Sequence, residues 1–219
     1  MKFLATLSLA LVTSVASAQN DAVFHSVGWT VYLDYIKGAP NTYTFEDFDG
    51  NTVTGYSQQS GVSLFTFLYN FRYNVKELSD DAVISLSATP AIGLYTDVSS
   101  DASGIGHINL PIALGWEYGA GSTYNSAKSM GTFIRAGWEY TNAPLFGFEE
   151  TTVDVKRSWG ALSLQTGLRY YNRKNRMREL NLKYASGPSG LAPTDGNSTV
   201  PVEKRAWAIR FAWVFILNY

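Results

Sequence analysis

Cysteine is missing from this chain of 219 residues. Without a thiol there is no disulfide framework, no thiolate metal site and no cysteine to accept a lipid anchor. Charge is also sparse and nearly balanced: 17 basic and 18 acidic residues together make up 16% of the chain, against roughly 25% in ordinary soluble domains. Because there is no basic excess, we expect no nucleic-acid partner.

Long apolar segments are missing too, and the longest stands at the N-terminus. Residues 1–18 combine the charged Lys2, a short apolar stretch and the small residues Ala-Ser-Ala at 16–18. This pattern is typical of a cleavable signal peptide, and the stretch is shorter than the roughly 20 residues that a membrane-spanning helix needs. We therefore expect residues 1–18 to be removed and residues 19–219 to form one exported domain.

What the chain does contain is aromatic residues, at 15%, and apolar residues that alternate with small or polar ones. A period of two is the pattern of β-strands with one apolar face. It is clearest at the C-terminus, where one face carries Trp207, Ile209, Phe211, Trp213, Phe215, Leu217 and Tyr219. Aromatic residues gather towards the ends of such faces, as the two aromatic girdles of a membrane barrel require.

Eight alternating segments predict an all-β fold. They lie near residues 27–35, 61–73, 82–95, 107–118, 134–140, 158–171, 177–185 and 206–219. We predict that they form a single closed antiparallel up-and-down transmembrane β-barrel with its apolar face towards lipid. Closure is needed because an unpaired backbone edge in hydrocarbon would cost several kcal/mol.

The connections between these segments alternate in length, as in outer-membrane barrels with long extracellular loops and short periplasmic turns. The long connections are 37–60, 96–106, 142–157 and 186–204, and the short ones are 74–81 and 172–176. Residues 119–131 are an exception because they are long for a periplasmic turn: either the turn is loose, or the strand boundaries lie elsewhere. Pro90 and Pro111 each remove a backbone donor, so we expect a bulge or break where strands three and four meet.

Charged residues fall on the faces predicted to point inward. They are Asp34, Arg72, Glu117, Arg135, Glu139, Arg169, Glu179, Lys183 and Arg210. The interior of an eight-stranded barrel is only wide enough for side chains to fill it. We therefore predict a structural network of paired charges; the alternative is a narrow ion path along the same residues. The mixture of signs favours a blocked bore, since a selective pore needs a ring of one sign.

On these features the chain resembles the broad family of small bacterial outer-membrane β-barrel proteins, including eight-stranded barrel-domain and adhesion-type members. The resemblance covers the whole mature chain and depends above all on its last segment, 210–219. This segment is similar to the C-terminal signal, ending in an aromatic residue, that the barrel-assembly machinery recognises. The resemblance implies a location in the outer membrane of a Gram-negative cell, with outer-membrane lipid and that machinery as partners.

The two histidines are the candidates for catalysis. A His and a Ser on one strand face the same way only when they are two residues apart. His25 is followed directly by a serine, and the residue two positions after His107 is Asn109, which is not a nucleophile, although Ser85 or Ser103 could approach His107 through the fold. These spacings do not meet the requirements of a nucleophile and base, so we expect no catalytic residues.

An acidic group in the first long connection suggests a cation site. Its residues are Glu46, Asp47 and Asp49, with Gly50 and Asn51. The spacing lacks the alternating ligands and the terminal Glu of a calcium loop. We expect a solvated acidic loop, and neither a metal nor a cofactor.

A basic group falls at the short connection near 172–176. It contains Arg173, Lys174, Arg176 and Arg178. These side chains either meet phosphates or keep the turn hydrated, and the sequence favours neither.

The first functional hypothesis is a non-enzymatic scaffold in the outer membrane whose long loops serve envelope integrity or bind a surface ligand. The alternatives are a narrow pore for ions or small solutes and an outer-membrane lipid-modifying enzyme. The rival architecture is a soluble barrel or sandwich with its apolar face inside. In that case Trp116, Trp138 and Trp213 would be buried, and Arg135 and Glu139 would face water.

Overall fold

The computed structural model describes residues 23–97, 104–147, 157–192 and 202–216. No helix in these four ranges is long and apolar enough to cross a membrane. The predicted signal peptide at 1–18 lies outside the described residues, as do Leu217 and Tyr219 of the predicted C-terminal signal.

The described residues form antiparallel strands joined by turns. The bounds of the strands are β1 Val23–Lys37, β2 Asn41–Glu46, β3 Thr52–Ser57, β4 Ser60–Ser79, β5 Ala82–Ala88, β6 Ala91–Asp97, β7 Gly104–Gly119, β8 Met130–Asn142, β9 Phe146–Gly147, β10 Ser158–Tyr171, β11 Met177–Ala192 and β12 Val202–Ile216.

The sheet closes on itself. Strand β1 pairs with β12 on one side and with β4 on the other, and the pairing runs on from β4 through β5 and β6, then β7, β8, β10 and β11, to β12. Counting β5 and β6 as one divided strand, the wall has the eight antiparallel strands that the alternation predicts. The predicted closed up-and-down ring is therefore confirmed.

The divided strand confirms the effect expected of the two prolines. Between β5 and β6 the backbone retains isolated bonds, from the N–H of Thr89 to the carbonyl of Pro111 at 3.2 Å and from the N–H of Tyr69 to the carbonyl of Pro90 at 3.0 Å. The register against β7 is the same on both sides of the gap. The break therefore removes ladder bonds without turning any side chain to the opposite face.

Several predicted strand boundaries are wrong, because strands extend beyond the segments in which apolar and polar residues alternate. Residues 41–57 of the first long connection form the hairpin of β2 and β3. Strand β4 runs to Ser79, which leaves a turn of only two residues before β5. Strand β11 extends to Ala192 through a bulge between Ser186 and Ser189, where the period of two is interrupted.

The outward face of the ring is apolar, which decides between the membrane barrel and its soluble rival. The exposed fractions of Trp116, Trp138 and Trp213 are 39%, 48% and 43%, whereas those of Arg135 and Glu139 are 4% and 1%. Other exposed apolar side chains on the wall are Phe65, Phe67, Leu86, Ile92, Leu94, Leu110, Ile112, Leu114, Ile134, Leu162, Leu164, Leu168, Leu182, Ile209 and Phe211. So large an apolar surface is characteristic of contact with lipid.

The two ends of the ring differ. The "turn end" carries the connections from β4 to β5, from β7 to β8 and from β10 to β11, and the "loop end" is the opposite end, which carries the hairpin of β2 and β3. Inside the loop end lies an apolar cluster in which Ile36, Tyr95 and Trp159 pack with small residues. Its alanines are Ala39, Ala143, Ala161, Ala185, Ala206 and Ala208. The bore is therefore filled by apolar side chains at this end.

A charge on the outer face tests its contact with lipid. Leu164 lies midway along β10 and is half exposed. We expect Leu164→Arg to lower the free energy of unfolding in lipid vesicles by about 2–4 kcal/mol, the cost of arginine at the midplane of a lipid-facing barrel surface. Urea titration followed by tryptophan fluorescence measures it. The control is Leu191→Arg, the same change at an exposed residue near the loop end, and equally small losses in both variants would contradict a lipid-facing β10.

Candidate functional site

The inward charges of five strands converge in the half of the bore near the turn end. Each of these strands contributes one charged residue from its inward face, which carries every second side chain of the strand. Arg72 comes from β4, Glu117 from β7, Arg135 from β8, Arg169 from β10 and Glu179 from β11. All five are buried. We call these residues the lumen charge cluster.

Glu117 is the centre of the cluster. Its Oε2 accepts hydrogen bonds from Nη1 of Arg72 at 2.6 Å and from Nη1 of Arg169 at 2.5 Å. Its Oε1 accepts from Nη2 of Arg135 at 2.9 Å and from the hydroxyl of Ser85 at 2.7 Å. One carboxylate thus joins arginines from three strands, with charge-assisted bonds that are stronger than neutral ones.

The cluster continues to β11, the neighbour of β10 in the sheet. Nε of Arg169 donates to Oε2 of Glu179 at 3.0 Å, and Nδ2 of Asn181 donates to Oε1 of the same carboxylate at 3.0 Å. Arg169 therefore links two carboxylates on different strands. This arrangement satisfies the charges that burial would otherwise make costly.

A second pair lies nearer the loop end. Nζ of Lys183 is 2.5 Å from Oε2 of Glu139 and donates to Oδ1 of Asn109 at 3.1 Å. Nδ2 of Asn109 donates in turn to the hydroxyl of Thr141 at 3.0 Å. Lys183 and Glu139 belong to the predicted charge set, whereas the two neutral partners do not.

Two aromatic rings inside the bore stack on the arginines. The guanidinium carbons of Arg135 and Arg169 lie 4.3 and 4.7 Å from the ring centre of Phe133, and that of Arg72 lies 4.0 Å from the ring of Phe24. Cation–π contacts are stronger where water is excluded. Sequence reasoning missed both phenylalanines, although Phe133 is in phase with Arg135 on β8.

The remaining two predicted lumen residues, Asp34 and Arg210, come from β1 and β12. The backbone of Asp34 pairs with that of Arg210 across β1 and β12, but the side chain of Asp34 lies outside what the structure describes. Arg210 is half-buried and lines a central cavity of about 50 Å³ together with Arg135, Glu179 and Lys183. A polar cavity of this size holds a few water molecules.

The long turn between β7 and β8 is folded into the turn end of the bore. Ser122 is fully buried, and its carbonyl oxygen accepts hydrogen bonds from Nη2 of Arg72 at 3.1 Å and from Nδ2 of Asn74 at 3.2 Å. Its hydroxyl donates to the carbonyl of Asp81 at 2.8 Å. Of the two sequence alternatives, the loose turn is wrong, because this segment is tied to the lumen charge cluster.

Two further contacts hold the turn in place. The ring of Tyr124 stacks on Phe24 with ring centres 4.3 Å apart, and its hydroxyl donates to the carbonyl of Val23 at 3.2 Å. Gly119 begins the turn with a φ of +75°, and a side chain there would come within 2.3 Å of the carbonyl oxygen of Met130. Glycine is therefore required where the chain leaves β7.

The histidines lie on opposite faces of the wall. His25 is directed outward, where its ring bonds the hydroxyl of Tyr69 and lies edge-on to Phe71. His107 is fully buried, with Nδ1 3.1 Å from the hydroxyl oxygen of Ser63. Ser63, which sequence reasoning missed, donates that hydroxyl to the carbonyl of Leu94 at 2.8 Å. The hydroxyl has a single proton, so this bond competes with transfer of that proton to His107, whereas a base must accept the proton of its nucleophile.

The acidic residues of the first connection shape the tip of the hairpin. Oδ1 of Asp47 accepts from the backbone N–H groups of Asp49 at 3.0 Å and Asn51 at 2.8 Å. Hydrogen bonds from the backbone and side chain of Asn51 hold the pKa of Asp47 below its ordinary value. Within the described ranges there is no group of three or more His, Cys, Asp or Glu side chains arranged to hold a metal ion.

The ring of antiparallel strands is closed, so it leaves no backbone edge unpaired. Its outer surface is apolar and its interior is charged, which is the arrangement of a barrel surrounded by the hydrocarbon of a membrane. The protein is therefore an integral β-barrel protein of the outer-membrane type.

Three solved structures resemble the chain, and all are outer-membrane proteins. OprG from Pseudomonas aeruginosa is 12% identical, with 92% of this chain and 99% of that chain covered and a TM-score of 0.37. The N-terminal barrel domain of OprF from the same organism is 16% identical, with 88% and 97% covered and a TM-score of 0.37. AlkL is 14% identical, with 93% and 94% covered and a TM-score of 0.37. No protein-family model and no curated protein matches the chain.

Removing the central carboxylate tests the cluster. We expect Glu117→Gln to lower the free energy of unfolding in detergent micelles by about 3–5 kcal/mol, because three buried guanidinium groups lose their shared anion. Denaturant titration followed by heat-modifiable gel mobility measures the loss. The control is Glu203→Gln, which removes an exposed carboxylate 3.7 Å from Arg205 and should cost less than about 1 kcal/mol. Equal effects of the two changes would contradict a central role for Glu117.

Proposed function

We propose that the protein is a non-enzymatic scaffold of the outer membrane. Its wall is held in the lipid bilayer by its apolar face, and its loop end serves envelope integrity or binds a ligand at the cell surface. The observation that carries the proposal is the joining of Glu117 to Arg72, Arg135 and Arg169, because these contacts tie β4, β8 and β10 to β7 inside the bore.

Obstruction at both ends of the bore supports a scaffold over a pore. At the turn end the buried Ser122 segment covers the lumen charge cluster. At the loop end the apolar cluster around Trp159 fills the same bore. Between them the cavity measures only about 50 Å³. Charges of both signs that satisfy one another favour a blocked lumen over an ion-selective one.

The chemistry of the buried serine and histidine supports a non-enzymatic role. The hydroxyl of Ser63 donates to the backbone carbonyl of Leu94, and this bond competes with transfer of its single proton to Nδ1 of His107. The hydroxyl of Ser85 donates to Glu117, whose carboxylate also accepts from three arginines and is therefore a poor proton acceptor. Nucleophilic catalysis needs a base that takes the proton of the hydroxyl, and neither arrangement favours that transfer.

The loop end offers the surface for a ligand. The hairpin of β2 and β3 carries Phe48 at its tip, fully exposed and flanked by Asp47 and Asp49. Hydrogen bonds from Gln58 to the carbonyls of Gly38 at 3.0 Å and Arg205 at 3.1 Å fasten the hairpin base to the wall. A ligand with cationic and apolar groups would complement this tip.

The C-terminal strand is the proposed contact with the barrel-assembly machinery. Ile209, Phe211 and Trp213 of β12 are exposed on the lipid-facing side, and Trp207 and Phe215 are half-buried there. In the folded barrel both edges of β12 are paired. Recognition would therefore precede closure of the ring, while those edges are still open.

Conductance tests the blocked lumen. We expect the folded full-length protein to give no regular conductance steps in planar bilayers, because side chains fill its bore. Glu117→Gln should give brief anion-selective events, since the arginines then repel one another, and Glu203→Gln should stay silent. Regular steps from the unaltered protein, with insertion verified by heat-modifiable mobility, would favour the narrow pore and contradict the scaffold.

A further inference from the structure

The turn between β10 and β11 presents a fixed group of positive charges. Oδ1 of Asn172 accepts from the backbone N–H groups of Lys174 and Arg176, each at 2.9 Å, and Asn175 adopts a left-handed φ of 52°. These local bonds define the shape of the turn. The side chains of Arg173, Lys174 and Arg176 are exposed from it.

Arg178 extends the same group of charges onto the outer wall. Its guanidinium carbon lies 4.9 Å from the ring centre of Phe215. That ring stacks on Trp29 with centres 4.5 Å apart and lies 4.9 Å from the ring of Trp213. Aromatic side chains of this kind favour the level of the lipid headgroups. Arg178 therefore lies at the boundary between acyl chains and water, and the other three cations stand just beyond it.

A shallow depression adjoins these cations. It has a volume of about 470 Å³ and lies between the two turns, with Lys128, Ser126 and Ser129 on one side and Tyr171 and Asn175 on the other. It adds the ammonium group of Lys128 and the hydroxyls of Ser129 and Tyr171, which can donate to an anion.

The acidic group beside the depression is Asp81. Its Oδ1 accepts from the hydroxyl of Ser126 at 2.7 Å, and its Oδ2 lies 3.8 Å from Nζ of Lys128. Among the described residues, no carboxylate lies within ion-pairing distance of the four arginine and lysine side chains of the turn from Arg173 to Arg178. The surface keeps an excess of positive charge.

We propose that Arg173, Lys174, Arg176 and Arg178 bind the phosphate of anionic phospholipid headgroups in the leaflet at the turn end. The proposal rests on the membrane location of the barrel. Guanidinium groups bind phosphate through paired hydrogen bonds, and clustered basic residues at a membrane surface favour anionic lipid. A lipid headgroup fits better than a free phosphate because Arg178 stands on the aromatic rings that the acyl chains would contact.

Quenching of tryptophan fluorescence by brominated lipid tests this. The full-length protein is placed in vesicles that mix phosphatidylglycerol and phosphatidylcholine, with one lipid brominated at a time. We expect a preference for phosphatidylglycerol of about tenfold, reduced to about twofold in Arg173→Gln/Arg176→Gln. The matched control, Lys204→Gln/Arg205→Gln, removes two positive charges near the loop end and should keep the full preference.

Three results would overturn the proposal. The first is a turn variant that keeps the preference, and the second is a loop-end control that loses it equally. The third is loss of the preference when sodium phosphate replaces chloride at equal ionic strength, which would assign the site to free phosphate. If brominated phosphatidylcholine also fails to quench the tryptophan fluorescence, the wall does not contact lipid, and the membrane barrel itself is contradicted. This result differs from failure of the headgroup site, in which both brominated lipids quench equally.

Discussion

Glu117 accepts hydrogen bonds from three arginines on three strands, and the packing of charges inside the bore depends on this contact. Three guanidinium groups inside a narrow ring would repel one another, and burial would make each of them costly. One shared carboxylate removes the repulsion and joins β4, β8 and β10 to β7 through the bore. The neighbouring bond from Arg169 to Glu179 carries the same link to β11. The interior therefore supplies bridges from β7 to β4 and β10, which are not adjacent to it in the sheet, as well as bonds within the neighbouring pairs β7–β8 and β10–β11.

The turn between β7 and β8 depends on the same cluster. Arg72 uses one nitrogen for Glu117 and another for the carbonyl of Ser122. A turn that is long for its end of the barrel is thus drawn inward, where it covers the charges and limits the access of water. The opposite end needs no such cover, because Trp159 and the alanines around it already fill the bore. Polar and apolar packing obstruct the lumen at different depths, and this division supports a scaffold.

The outer surface follows a separate constraint, set by its solvent. Apolar residues cover the wall, while aromatic rings gather beside charged turns, as Phe215 and Trp29 do next to Arg178. The apolar residues of the wall favour hydrocarbon, and the aromatic rings favour the layer of lipid headgroups. The proposed headgroup site depends on the same layering. Arg178 is held on the ring of Phe215 at the boundary between acyl chains and water, which is the level of a lipid phosphate.

The alternation of apolar and polar residues was enough to predict eight wall strands, their oily face and the inward direction of Arg135 or Glu139, because a period of two leaves each side chain only two faces. The break at Pro90 followed from a missing donor. Local pattern could not predict which charges meet: Glu117 is 45 residues from Arg72 and 52 from Arg169, and the pairing and curvature of the strands between them bring them together. The same holds for Ser63 beside His107 and for the inward turn at Ser122. Their positions depend on contacts across the bore, and no period along the chain encodes such contacts.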